Sequence, residues 1–266
     1  MIELRQVSKT FNRNTPNALT LFSDLNLKIE EGEFVTLIGS NGSGKTTLFN
    51  LICGTLYPDS GTIYFDDSEI THMAEHLRNR SFARVFQDPL KGASPSLTIL
   101  ENLSMANRKG KPFDLGRAVR REDISHFRSL LSFLELDLQD KLDTPVSALS
   151  GGQRQALSLL MATLVTPKLL LLDEHTAALD PKTSDRIIEL TSKIVKDKGI
   201  TAIMITHNLK QAIECGDRLL MLHKGEIVLD LKGKEKAALS VSSLIERFDR
   251  LKITGDLSDE MLLSDN

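Results

Sequence analysis

The most informative segment of this 266-residue chain reads Gly39-Ser40-Asn41-Gly42-Ser43-Gly44-Lys45-Thr46. It matches the pattern G-x-x-x-x-G-K-[S/T] in full. Glycines let the backbone curl until successive N–H groups point at phosphate oxygens, and a helix that begins near Gly44 adds its positive N-terminal dipole. In such a loop Lys45 reaches the β- and γ-phosphates and the Thr46 hydroxyl ligates Mg²⁺. We therefore predict that this stretch, extended to Thr47, binds ATP with Mg²⁺.

The residues on either side of the loop supply the setting that such a loop needs. Phe34–Ile38 is a dense apolar run that predicts a buried strand, and residues 46–52 are compatible with a helix. The alternative, an accidental glycine-rich turn, does not require a strand before it and a helix after it. Pattern and setting together favour the phosphate site.

Further patterns along the chain indicate an α/β fold. Later strands are predicted at residues 61–65, 169–172, 201–205, 219–222 and 227–229, with helical spacing at 153–164 and 184–195. Strands that alternate with helices form βαβ units and a parallel sheet. Near the N-terminus, the spaced apolar residues Ile2, Leu4 and Val7 and the alternation over residues 21–29 favour a half-exposed antiparallel sheet instead.

Two regions interrupt the α/β pattern. Strand patterns are absent between residues of about 88 and 148, and residues 124–136 show helical spacing, which predicts a helical insert. After Leu231 the chain becomes polar, with one amphipathic stretch at residues 241–248. We therefore predict an ATPase domain over residues 1–230 and a C-terminal extension over 231–266, whose acidic last residues fray.

Composition excludes several classes of function. The net charge of −3 provides no positive field to attract nucleic acid. Cys53 and Cys215 fit no metal-ligand spacing, so we expect buried thiols in a reducing compartment. The charged N-terminus predicts no signal peptide, and apolar runs of about five residues fall short of the roughly 20 that span a bilayer. The chain is therefore expected in the cytosol, with any membrane role through a partner.

A second acidic element accompanies the phosphate loop. Four leucines at residues 169–172 predict a buried parallel strand, and Asp173 and Glu174 follow at its carboxyl end, where α/β sheets place ligands. Asp173 can hold Mg²⁺ through water, and Glu174 can act as the general base that activates the attacking water. The two elements together predict ATP hydrolysis.

Residues 149–155, which read Leu-Ser-Gly-Gly-Gln-Arg-Gln, resemble the signature motif of the ABC ATPase family. The resemblance covers roughly residues 1–230. It implies a P-loop NTPase (RecA-like) core with an N-terminal antiparallel β subdomain and an inserted α-helical subdomain. It also implies that Ser150, Gly151, Gly152 and Gln153 bind the γ-phosphate held by an opposite subunit, at a helix N-terminus. An ordinary Ser N-cap is the alternative for the Ser-Gly-Gly part alone.

Other elements of the ABC family follow in the family's order. Gln87 resembles the Q-loop glutamine, which contacts Mg²⁺ and the attacking water. Asp180 resembles the D-loop aspartate at the dimer interface, and His207 resembles the switch histidine that contacts the γ-phosphate. Phe11 resembles the aromatic residue that stacks on adenine. The family usually has Pro after the catalytic glutamate, whereas this chain has His175, which is either a neutral substitution or a residue that perturbs the base or binds phosphate.

The resemblance also implies partners. One phosphate loop and one signature per chain require a second ATPase subunit, most simply a homodimer. A separate ATPase of this size, with a stretch at residues 89–104 similar to the one that grips a permease, resembles importer ATPases. The resemblance to importers implies transmembrane permease subunits and an extracytoplasmic binding protein as partners. It also implies that the chain lies at the cytoplasmic face of the membrane. Residues 173–181 resemble a subgroup assigned to amino-acid import, with aromatic amino acids as the expected substrates. A soluble scaffold such as an iron–sulfur assembly ATPase is the alternative.

Overall fold

The structure is a computed structural model that describes residues 1–111 and 119–250. Residues 112–118 of the predicted insert and the C-terminal residues 251–266, which were predicted to fray, lie outside the described residues. The strands are β1 Ile2–Phe11, β2 Leu19–Ile29, β3 Phe34–Ile38, β4 Ser60–Phe65, β5 Ser68–Glu69, β6 Phe82–Val85, β7 Leu169–Asp173, β8 Thr201–Ile205, β9 Arg218–His223 and β10 Glu226–Lys232. The α-helices are α1 Lys45–Cys53, α2 Glu75–Arg78, α3 Ile99–Ala106, α4 Asp123–Phe133, α5 Gly151–Leu164, α6 Pro181–Lys198, α7 Leu209–Glu214, α8 Lys234–Ala237 and α9 Val241–Arg250. Short 3-10 turns span Pro89–Gly92 and Val146–Ala148.

The described residues form two compact units. The first unit contains residues 1–81 and 200–250, and the second unit contains residues 82–111 and 119–199. The phosphate loop belongs to the first unit. The double-acid strand and the signature belong to the second.

The first unit contains an antiparallel sheet and a mostly parallel one. The antiparallel sheet has the order β2-β1-β4-β5, with Ile2 of β1 opposite Ile29 of β2. In the other sheet β3 lies between β8 and β9 and runs parallel to both, and β10 pairs antiparallel with β9. All five residues of β3 are buried, so its carboxyl end delivers the phosphate loop from the centre of a sheet.

Helix α9 covers one side of this core. Leu244 and Phe248 are fully buried and pack with Ile38 at the end of β3, Leu209 and Ala212 of α7, and Leu219 and Met221 of β9. The amphipathic stretch predicted near the C-terminus is therefore a helix that packs on the core of the first unit.

The second unit is built around β6 and β7, which run parallel with Phe82 opposite Leu169 and Val85 opposite Leu172. The four leucines of β7 are fully buried, as the uninterrupted apolar run predicted. Helix α6 begins at the Asp180 N-cap with Pro181 in its first turn, and it ends at Gly199, whose φ of 59° suits a left-handed C-cap.

The α/β class predicted from the sequence agrees with this architecture. Strands β3 and β8 have the predicted bounds, and the other predicted strands extend by one or a few residues. Strand β6 was not predicted, since its four residues include Arg84 and give too short an apolar pattern. Between residues 89 and 148 the described chain forms helices and turns, with one isolated bridge from Thr98 to Pro145. Among the described residues, no helix is both long and apolar enough to cross a membrane.

Candidate nucleotide-binding and hydrolysis site

The phosphate loop turns tightly between β3 and α1, and its glycines are required by their neighbours. A Cβ atom on Gly39 would overlap the carbonyl oxygen of Leu222, and one on Gly44 would lie 2.8 Å from Cζ of Phe22. Gly44 also has a φ of 110°, which side chains rarely adopt. The loop therefore approaches its surroundings at a distance that only glycine allows, while Asn41 and Gly42 remain exposed at its tip.

Lys45 and Ser43 are polar groups buried inside this loop. Nζ of Lys45 donates to the carbonyl oxygens of Gly39, at 2.6 Å, and Ser40, at 3.1 Å, so the ammonium lies within the curl of the backbone. Oγ of Ser43 is buried without a hydrogen-bond partner. A buried polar atom of this kind costs stability unless a ligand satisfies it, so the loop is built to receive a polar group.

The start of α1 is a helix N-terminus without a side-chain cap. Gly44 is its N-cap and makes no side-chain capping bond, and the first turn has no acidic residue. The N–H groups of this turn, at Lys45, Thr46 and Thr47, therefore lie at the positive end of the helix with no carboxylate to neutralise it. The Thr46 side chain is exposed.

Phe11 ends β1 opposite Leu19 of β2 and is partly exposed. The segment before it is held by Asp59, whose carboxylate accepts from the backbone N–H of Thr10 at 2.6 Å and forms ion pairs with Lys9 and Arg13. These contacts fix the backbone beside Phe11.

His207 follows β8 in a turn fixed from both sides. Oγ1 of Thr206 donates to the Gln211 side chain at 3.2 Å and accepts from the N–H of Asn208 at 3.1 Å. The Asn208 side chain in turn caps α7. His207 is therefore held in a rigid turn, and the residue is partly exposed.

In the second unit, the positively charged side chain of Arg84 lies beside Asp173. The guanidinium of Arg84 on β6 lies 2.5 Å from Oδ2 of Asp173, and both side chains are mostly buried. The same guanidinium lies over the ring of Phe86, 4.8 Å from its centre. Gln87, the next residue, is exposed. Arg84 thus links the predicted metal ligand to the segment that leads into Gln87.

Glu174 and His175 follow Asp173 with different environments. Glu174 is partly exposed and has a φ of 47°, in the left-handed region. His175 is 2% exposed, and Nε2 of its ring is 3.0 Å from Oγ1 of Thr191 on α6. Burial lowers the pKa of His175 to about 4, so its imidazole is neutral at physiological pH. A neutral, enclosed ring does not bind phosphate by charge.

The signature residues form the N-terminus of α5. Oγ of Ser150 accepts from the N–H of Gln153, and the Gln153 side chain accepts from the N–H of Ser150, which completes a capping box. Gln153 also donates to the carbonyl of Leu136, so its side chain has a structural role as well. Ser150 is exposed, and its hydroxyl proton remains able to donate to an anion at the helix terminus.

The neighbours of the two signature glycines differ. A Cβ atom on Gly151 would meet only a methyl of Leu179, at an ordinary 3.6 Å, whereas one on Gly152 would overlap the Thr183 methyl on α6. Gly152 is therefore needed for the packing of α5 on α6. Gly151 has room for a Cβ atom, so its substitution can test binding separately from the packing of α5 on α6.

Sequence reasoning did not identify Arg84, Asp59 or Thr191. Each acts on a predicted site residue: Arg84 on Asp173, Asp59 on the segment before Phe11, and Thr191 on His175. No local motif marks them, since Arg84 and Asp173 are 89 residues apart in the chain. The other predicted residues lie at strand ends and helix starts within their own unit.

A buried strand, a glycine-rich loop and an uncapped helix start, with an acidic strand end in the same chain, define a P-loop nucleotide-binding protein. Comparison with known proteins narrows this class. Residues 22–177 match the family model described as ABC transporter. The chain is 52% identical over 249 residues to a protein of Clostridioides difficile named "Tyrosine transport ATP-binding protein", covering 94% of this chain and 99% of that protein.

More distant relatives and solved structures agree. A spermidine/putrescine import ATP-binding protein of Haemophilus influenzae is 34% identical, and the match covers 93% of this chain but 62% of that longer protein. A dimeric ATP-binding cassette in a post-hydrolysis state with ADP and phosphate superposes with a TM-score of 0.74 at 30% identity, over 87% of this chain and 98% of that one. A nucleotide-free cassette from an ABC transporter gives 0.76 at 25% identity, over 95% and 98%.

The chain belongs to the ABC transporter family, and it is an ATP-hydrolysing subunit of that family. The predicted fold class, the ATPase activity and ATP as the nucleotide are confirmed.

Proposed function

We propose that two copies of this chain close around two ATP molecules, and that hydrolysis reopens them to drive solute uptake through separate membrane permeases. The observation that supports the proposal is the pair of helix N-termini that one chain offers to phosphate groups. One is the loop at the start of α1, and the other is the exposed Ser150 hydroxyl at the start of α5. ATP presents a γ-phosphate to both sites and ADP does not, so only ATP favours the closed dimer.

Within each site, the oxygen donors fit Mg²⁺. Thr46, Asp173 and Gln87 offer hydroxyl, carboxylate and amide oxygens, which are the hard ligands that this ion prefers. The described residues contain no cluster of three or more His, Cys, Asp or Glu residues that would hold a metal alone. Such a sparse set suits an ion that arrives with phosphate oxygens as its other ligands. Glu174 is the proposed base, and His207 the proposed γ-phosphate contact.

The shared site can be tested with two complementary lesions. Lys45→Ala removes the ammonium held in the phosphate loop. At this position a Cβ atom meets only a methyl of Leu179, at an ordinary 3.6 Å, and Gly151→Asp adds a carboxylate where the γ-phosphate is proposed to dock. Homodimers of either variant contain a lesion in both sites and should be inactive, whereas a purified heterodimer has one intact site. Its ATPase should return to about half of wild type for independent sites, and less for cooperating ones.

If the heterodimer has no ATPase activity, photolabelling distinguishes strict cooperativity between the two sites from the absence of a shared site. With 8-azido-ATP, the intact site should be labelled even where strict cooperativity prevents turnover. A verified heterodimer with neither labelling nor activity would contradict a site shared between subunits.

The role of Glu174 has its own test. Glu174→Gln retains the shape of the side chain but cannot accept a proton, so hydrolysis should fall by about 10²–10⁴-fold. A stable ATP-bound dimer should accumulate on gel filtration. Hydrolysis within a few-fold of wild type would exclude Glu174 as the base.

We further propose an amino acid, of the aromatic class, as the imported solute. Its support is the 52% identity to the protein named for tyrosine transport, over nearly the full length of both chains. Cells that lack this gene should lose uptake of labelled tyrosine or tryptophan but keep spermidine uptake, and the wild-type gene should restore it. The Glu174→Gln gene is the matched negative control. Unchanged uptake of both aromatic amino acids would refute this substrate class.

The proposed partners are two permease subunits and an extracytoplasmic substrate-binding protein, with this chain at the cytoplasmic face of the membrane. The proposed surface for the permease is the stretch at residues 89–104, and hydrogen bonds fix part of its backbone. There the buried Asn102 accepts from the N–H of Ser94 and donates to the carbonyls of Ser94, Leu97 and Thr98. Leu100→Asp should leave basal ATPase intact and abolish uptake. A purely soluble pool on cell fractionation would favour the scaffold alternative instead.

In this proposal residues 1–230 form the ATPase domain, residues of about 88–148 are its helical insert, and residues 231–266 are the extension.

A further inference from the structure

The backbone of Glu174 adopts a conformation that needs support. Its φ of 47° lies in the left-handed region, which residues other than glycine rarely occupy. Its carbonyl accepts from the N–H of Ala177 at 3.1 Å, and the carbonyl of Thr176 accepts from the N–H of Leu179 at 3.2 Å. The proposed base therefore leaves β7 on a tight turn, and such a turn persists only where surrounding contacts fix it.

His175, the next residue, makes such a contact. Its ring is enclosed, and Nε2 lies 3.0 Å from Oγ1 of Thr191, which is itself fully buried in the middle of α6. The Thr191 hydroxyl has a single proton, and it donates this proton to the carbonyl of Ile187 at 2.7 Å. With the hydroxyl proton placed in this way, Thr191 accepts from His175, and the imidazole is the neutral tautomer with its proton on Nε2.

We propose that His175 is a positioning residue, which fastens the Glu174 turn to α6 through the hydrogen bond from its Nε2–H to Thr191. The inference rests on the proposed role of Glu174 as the base. It assigns a function to the residue at which this chain departs from the usual proline of the family. Proline has no side-chain donor, so this chain fixes the turn by a side-chain bond instead.

Helix α6 also contacts the signature residues at the start of α5. The N-cap of this helix is Asp180, and its Thr183 lies against Gly152 at the start of α5. One rigid helix thus contacts both the turn that holds the base and the loop that contains Ser150. A change at His175 should therefore alter catalysis without removing the phosphate loop's own contacts with ATP.

Two matched pairs of variants test the hydrogen bond. His175→Gln keeps an N–H donor at a similar reach, and His175→Leu removes it. Thr191→Ser keeps the acceptor, and Thr191→Val removes it with almost no change in shape. We expect kcat to fall by about 10–100-fold in the Leu and Val variants, with KM for ATP within about 3-fold of wild type. The Gln and Ser variants should keep kcat within about 5-fold, and the Leu–Val double variant should be no worse than either single one.

Other results would overturn the proposal. If the Leu and Val variants melt at a lower temperature but keep kcat, the contact serves packing alone. Equal losses in the Gln and Leu variants would show that the donor is irrelevant. If His175→Leu does not fold, the comparison of Thr191→Val with Thr191→Ser decides between the two roles. Valine keeps the shape of threonine without its hydroxyl, whereas serine keeps the hydroxyl without the methyl.

Glu174→Gln separates this inference from the function on which it rests. If that variant hydrolyses ATP within a few-fold of wild type, the proposed base is wrong, whatever the His175 variants do. If it is inactive while Thr191→Val retains wild-type kcat, only the positioning role fails.

Discussion

Arg78 should be among the most costly residues to replace, although it lies outside the nucleotide site. It is 2% exposed, and its guanidinium donates to five backbone carbonyls: Leu51 and Ile52 at the end of α1, and Ile70, Thr71 and Met73 in the segment before α2. Because α1 begins at the phosphate loop, this arginine holds the far end of the helix on which the loop is built.

The magnitude follows from what Arg78→Met leaves behind. Methionine keeps most of the apolar stem but none of the five donors. A hydrogen bond to a charged group contributes about 1.5–3 kcal/mol, and the cost of burying the guanidinium offsets several kcal/mol of the total. We expect the free energy of unfolding to fall by about 3–5 kcal/mol, within the range seen when a buried polar network loses one member.

The assay is urea unfolding followed by circular dichroism, since the chain has no tryptophan for fluorescence. Arg80→Met is the matched control, because Arg80 is exposed and its replacement should change stability by less than about 0.5 kcal/mol. Arg78→Lys should be intermediate, since an ammonium has three donors and no planar fork. If the free energy of unfolding of Arg78→Met lies within about 1 kcal/mol of that of the Arg80→Met control, the five hydrogen bonds do not contribute as argued.

Three further predictions concern other parts of the chain. His175 has a folded-state pKa of about 4, below the roughly 6.5 of an unfolded histidine, so the unfolded chain binds more protons between these values. Stability should therefore fall as pH drops through that window, by about 2 kcal/mol between pH 7 and 5, and His175→Gln should lack this part of the pH dependence. Arg84→Met combined with Asp173→Asn in a double-mutant cycle of unfolding should give a coupling energy of about 1–3 kcal/mol, and a value near zero would mean that the pair contributes nothing. Leu244→Ala in α9 should cost about 2–5 kcal/mol with little change in specific ATPase, against a neutral Ser242→Ala control; a large rise in ATPase would instead reveal an inhibitory tail.

Elements whose chemistry depends on neighbouring residues could be predicted from the sequence alone. The phosphate loop was identifiable because the glycines, Lys45 and Thr46 act within eight consecutive residues, and Asp173 and Glu174 because a run of buried leucines precedes them. The Ser150 cap belongs to the same class, since a helix N-terminus is built from neighbours in the chain. For these elements the residue pattern and the structure contain the same information.

The side chains from distant parts of the chain that contact these elements could be identified only in the folded structure. Arg84 contacts Asp173 because β6 and β7 pair in register, and Thr191 meets His175 because α6 packs beside the turn after β7. Arg78 contacts the end of α1 because the chain returns to that helix after β4 and β5. The sequence pattern does not specify such pairings, because a buried polar residue finds its partner through the packing of whole elements. Hydrogen bonds act over about 3 Å in space, whereas sequence motifs report only on neighbours along the chain.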